Sequence, residues 1–65
     1  FRRVLNGFLR NLTRQSRTYF LRRYWYGESI REIAEACGAG EEKVKSSLFR
    51  TRQRLRAVLE KEGML

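Results

Sequence analysis

Few residues in this chain could carry out a reaction. It has no histidine or aspartate, and its one cysteine, Cys37, falls on the apolar side of a helical pattern. Neither a nucleophile–base pair, a Cys/His zinc cluster nor a phosphate-cradling glycine loop can be assembled from that set, so neither an enzyme nor a cofactor is expected. A lone cysteine also excludes an intramolecular disulfide, and Cys37 is expected to serve as a small buried hydrophobe. Recognition is the chemistry that remains. Arg31, Lys43, Lys45, Ser46, Ser47, Phe49, Arg50, Arg52 and Arg54 supply cations, hydroxyls and one exposed ring, the groups that meet phosphates and base edges. No acid interrupts the run from Lys45 to Arg56, and the next is Glu60. A solvated helix ordinarily mixes its charges in i,i+4 pairs, so this imbalance points to a polyanion.

The whole chain repeats the signal. Lys and Arg number 15 against seven acids, a net charge of +8, and the pI is about 10.8. A polyanion is the partner this favours, nucleic acid or an anionic membrane surface. No apolar run is long enough to span a bilayer and no signal peptide opens the chain, so a cytoplasmic location is expected, with nucleic acid as the polyanion and no membrane among the partners. The first residue is Phe1 rather than Met, as expected of a piece cut from something longer. At 65 residues there is room for one domain, 1–65, with a small core.

The elements that position the cationic run can be read from local signals. Ser29 and Glu32 form a capping-box pattern, which predicts a helix starting there. Ile30, Ile33, Ala34 and Cys37 recur at helical spacing, and Gly38 closes the helix. After Gly38-Ala39-Gly40, the acids Glu41 and Glu42 suit the positive end of a second helix, predicted to run to about Glu62. Ala34, Gly38 and Val44 together fit a helix-turn-helix at about 29–52. At about 100° per residue, Val44, Leu48, Thr51, Leu55, Val58 and Leu59 make the buried stripe of the last helix. Glu42, Ser46, Phe49, Arg50 and Gln53 fall opposite.

Upstream, Val4, Leu5, Phe8, Leu9 and Leu12 predict an amphipathic helix from Phe1 to about Leu12. Thr13 is the expected N-cap of the next helix, Arg14 to about Tyr26. Phe20 and Tyr24 are assigned to the core, and Tyr19 and Tyr26 are left open between core and a stacking platform for bases. The predicted fold is all-α: a four-helix domain with a C-terminal helix-turn-helix and a long basic recognition helix.

Several of these residues, taken in register, resemble a known family. Tyr19-Phe20-Leu21-Arg22-Arg23-Tyr24, Gly27, Ser29, Glu32-Ile33-Ala34, Gly38, Val44-Lys45-Ser46, Leu48, Arg50, Arg52 and Leu55-Arg56 resemble region four of bacterial sigma factors, nearest the extracytoplasmic-function group. The resemblance implies a module that recognises the −35 promoter element in double-stranded DNA and docks on the β flap of RNA polymerase core, or on an anti-sigma factor, and is monomeric when free. It also implies recognition-helix contacts from Lys45, Ser46, Ser47, Phe49 and Arg50, and a phosphate contact from Arg31. Lys43, Arg52 and Arg54 suit further phosphate contacts. The chain departs from the family's pattern at Thr13 (usually Pro), Gly40 (usually Ser or Thr), Lys43 (usually Thr) and Ser47 (usually Arg). Two alternatives stand beside this reading: a LuxR-type DNA-binding domain, dimeric through its last helix, and a sigma-like interaction module that binds polymerase or an anti-sigma factor without reading DNA.

Overall fold

Interactions between residues three to six apart set the ends of the helices. In the computed structural model, which describes residues 1–65, the chain forms α1 (Arg2–Arg10), α2 (Arg14–Tyr24), α3 (Ile30–Cys37) and α4 (Glu41–Lys61), with no strand. The Thr13 hydroxyl accepts the Ser16 N–H at 3.1 Å and caps α2. At α3 the capping box is complete. The Ser29 hydroxyl accepts the Glu32 N–H at 3.0 Å, and the Glu32 carboxylate accepts the Ser29 N–H at 2.8 Å. Two backbone donors that the first turn would leave open are thereby satisfied.

The turn between α3 and α4 depends on Gly38, whose φ of 63° and ψ of 37° lie in the left-handed region that glycine enters without penalty. The chain folds back there, and the Ala39 N–H donates to the Ala34 carbonyl at 3.0 Å, as in a Schellman closure.

Both N-terminal helices are shorter than their periodicity predicts. α1 stops at Arg10, where the Asn11 N–H bonds back to Gly7 and Phe8. α2 stops at Tyr24, because Gly27 turns at φ 70° and the Tyr26 and Glu28 N–H groups return to the carbonyls of Leu21 and Arg22. Arg22 then clamps this turn with two bonds to the Glu28 carboxylate, at 2.9 and 3.1 Å.

The core is built where α2, α3 and α4 meet, from Tyr19, Phe20, Ile33, Ala34, Val44 and Leu48. Tyr19, left open by the periodicity of α2, is 1% exposed, whereas Tyr24, assigned to the core, is 48% exposed. The Tyr24 ring lies on Phe20, with centroids 4.9 Å apart, at the edge of the cluster. Helix α4 touches all three other helices. Its stripe is fully buried only at Val44, Leu48 and Thr51, while Leu55, Val58 and Leu59 are half-buried. α2 and α3 cover the first half of the rod, and the tail projects past them with α1 beside it.

Candidate nucleic-acid interface

Gly38 and Gly40 deliver α4 so that one side of its first three turns faces outward. Lys43, Lys45, Ser46, Phe49 and Arg50 are all exposed on it, and Arg52 and Arg54 continue the exposure one turn on. Phe49 is 54% exposed, a large apolar ring held in water beside cations. Arg31 is exposed in the first turn of α3.

Ser47 is different, and its assignment as a contact is corrected here. It is 5% exposed and lies between α4 and α2, with its hydroxyl 3.4 Å from that of Ser16. Its carbonyl accepts the Thr51 hydroxyl at 2.8 Å. One residue of helix is about 100° of rotation, which is enough to turn Ser46 outward and Ser47 inward.

After the first turn of α4, which carries Glu41 and Glu42, this surface has no acid before Glu60. Lys45 meets Glu42 at 3.8 Å, Arg31 meets Glu35 at 3.2 Å and Arg56 meets Glu60 at 3.8 Å, all in exposed positions. Such exposed pairs are weak in water. Lys43, Arg50 and Arg54 have no acidic partner. Arg52 is drawn the other way, since its Nη1 donates to the Tyr24 hydroxyl at 2.7 Å, toward α2.

Two ionisable groups are shifted. Arg22 is raised above its ordinary value by its hydrogen bond to Glu28 and by that residue's charge. Glu32 is lowered, because its carboxylate accepts the Ser29 backbone N–H and, secondarily, because of the Ser29 hydroxyl. Both belong to turns that hold the surface in place rather than to the surface itself.

A second feature is the apolar docking surface that the family resemblance implies, whose lining the sequence did not resolve. An open groove of about 570 Å³ runs between α1, the end of α2 and α4, lined by Leu5, Leu9, Tyr24, Trp25 and Leu55 with Arg52 at its rim. Trp25 is 76% exposed there. Periodicity marks these residues as apolar but cannot say which of them stay uncovered. The signal that could have found the groove is the cluster Tyr24-Trp25-Tyr26 at a helix end, just before Gly27.

No helix is long and apolar enough to cross a membrane. Comparison with curated proteins finds no match. The family model for sigma-70, region 4 matches residues 2–55, which takes in α1, α2, α3 and most of α4 and gives precedence to the sigma reading over the LuxR-type one. By that match, and with the all-helical helix-turn-helix architecture beside it, this chain belongs to the sigma-70 region 4 family, a family of DNA-binding, non-catalytic transcription domains.

Proposed function

We propose that this domain reads a −35-type promoter element through α4 while its apolar groove holds the flap of the RNA polymerase β subunit, so that the two contacts together place polymerase at a promoter in the cytoplasm. The observation that carries the reading is the composition of the exposed side of α4. Lys43, Lys45, Ser46, Phe49 and Arg50 stand free of the core at the leading end of the helix, where a helix-turn-helix places its major-groove contacts.

The roles divide by chemistry. Arg50 is the bidentate donor to a guanine edge, Ser46 bonds to either donor or acceptor edges, and Phe49 lies against a thymine methyl. Lys43, Arg31 and Arg54 neutralise phosphates, which position the domain without reading sequence. Lys45 reaches base or backbone from the opposite flank. The groove supports docking because it joins apolar side chains from three helices around an exposed tryptophan. An anti-sigma factor would compete for the same groove.

The test is selection of bound duplexes from a random pool, by this chain in the presence of polymerase core, followed by anisotropy titration on single-base variants of the winner. A selected motif with position-dependent losses supports the reading. A pool that stays random would leave the interaction-module alternative in its place. Trp25 is the only tryptophan, so docking of a β-flap helix in the groove is expected to shift its emission to the blue. An unchanged spectrum at saturating flap would separate the groove from polymerase.

A further inference from the structure

The groove beside Trp25 is lined by hydrophobic side chains except at Asn6 and Arg52, and Arg52 is its one charge. A guanidinium at the rim of an apolar surface loses water when a partner covers that surface. The loss is costly unless the partner brings an opposite charge.

Arg52 is held in place. Its Nη1 donates to the Tyr24 hydroxyl at 2.7 Å, a bond that spans 28 residues of chain and joins α4 to α2. The Tyr24 ring lies against Phe20, with centroids 4.9 Å apart, and Phe20 belongs to the core. The guanidinium is thereby tied through one ring to the hydrophobic interior. No acid of this chain lies within ion-pair distance of it. Glu60, which lines the neighbouring depression along the tail of α4 together with Arg52, faces Arg56 at 3.8 Å.

Both partners keep donors to spare. The guanidinium has further N–H groups beyond the one engaged at Nη1. The Tyr24 oxygen accepts from Arg52 and has no other side-chain partner, so its own hydrogen is free to donate. Tyr24 is 48% exposed, and Arg52 is exposed as well, so a group on a docked partner can reach the pair. Converging N–H and O–H donors beside a positive charge are what a carboxylate accepts.

We propose that Arg52 and Tyr24 form a carboxylate clamp on the rim of the groove, and that the polymerase segment seated there carries an aspartate or glutamate that enters it. The inference rests on the docking reading above and adds the polar contact that sets the register of the segment. Apolar burial alone is non-directional and leaves that register open. A carboxylate that takes a bidentate bond from Arg52 and the O–H of Tyr24 supplies the direction, and the pair strengthens as docking excludes water.

The test titrates the β-flap segment of RNA polymerase into this chain and follows Trp25 emission. Each Asp and Glu of the segment is changed in turn to Asn or Gln. One of these changes should weaken binding to the native chain about 10-fold, the loss of a charge-assisted hydrogen bond, and should cost nothing further on Arg52→Gln. Arg52→Lys keeps the charge without the planar fork and should restore only part of the affinity. Tyr24→Phe keeps the ring and should lose about 3-fold. Circular dichroism confirms the fold of each variant. If every amide-substituted segment binds the native chain as the unchanged one does, or if the loss is as large on Arg52→Gln, the clamp is overturned while docking stands. A Tyr24→Phe variant with native affinity would overturn it equally. An unchanged segment that fails to bind the native chain would overturn the docking reading and the clamp with it.

Discussion

Ser47 offers the sharpest test of how the recognition helix is oriented, because its burial predicts opposite results from those of its neighbour Ser46. Replacing Ser47 by Ala removes a hydroxyl that is 5% exposed and whose one side-chain partner, Ser16, is 3.4 Å away. A bond that long sits at the weak end of the usual net range, about 0.5 kcal/mol. Ala in a helix interior returns about 0.5 kcal/mol through its better propensity. The two effects offset, so Ser47→Ala should melt within a few degrees of the native chain. DNA affinity should move less than about 2-fold, since 1.4 kcal/mol would be needed for tenfold.

Ser47→Arg, which restores the family's usual residue, must thread a long side chain out from between α4 and α2. Overpacking of that kind costs about 1–3 kcal/mol, partly relieved if the stem lies along apolar surface and the guanidinium reaches water. Against a total stability of about 3–10 kcal/mol for a domain this size, the melting midpoint should fall by about 4 °C or more. Thermal melting by circular dichroism, with anisotropy titration of the same samples, reads both quantities. A Ser47→Ala variant that melts normally yet loses an order of magnitude in DNA affinity would place the hydroxyl on the nucleic acid and refute the orientation.

Four further outcomes follow from the same geometry. Arg50→Ala should cost about 1–3 kcal/mol at one promoter position and little at others; an equal loss on every single-base variant would reassign Arg50 to phosphate. Gly40→Ser should stabilise the domain by about 0.5–1 kcal/mol, because the backbone there is extended at φ −76° with nothing within 4 Å of an added Cβ, and α4 has no side-chain cap. Chemical denaturation measures it, and a lower midpoint would count against the cap. The Glu32 carboxylate is held below its ordinary value of 4.5, so its contribution to stability is present above that value and is lost as pH falls through the lower folded one. Melting midpoints of the native chain and Glu32→Gln should therefore converge in acid and separate toward neutrality; parallel curves would contradict this. Tyr24→Phe removes the acceptor that draws Arg52 toward the groove. It should steepen the salt dependence of DNA binding by about 0.9 as Arg52 becomes free for phosphate, and an unchanged slope would mean the tether does not restrain it.

Where the residues announce themselves, the reason is locality. Ser29, Glu32, Thr13 and Gly38 end or begin helices through bonds spanning a few residues, so their order in the chain was enough to place α3, the turn and the start of α4. The helical period likewise assigned Val44, Leu48 and Thr51 inward and Ser46, Phe49 and Arg50 outward. The closures after Arg10 and Tyr24 were harder to read because backbone N–H groups rather than a capping side chain close those helix ends, and the Arg22 clamp on the second turn reaches a residue beyond the helix.

The sequence by itself determined the four helices, the bend between the last two and a cationic rod short of acids. How wide an arc of each helix is covered was decided only by tertiary structure, because covering depends on where a neighbouring helix crosses. That crossing buries Tyr19 and leaves Tyr24 at the edge, turns Ser47 against Ser16, and lets α4 outrun α2 and α3 so that its tail stays half open. The groove around Trp25 arises in the same way, from surfaces brought together across the chain that no spacing along it could disclose.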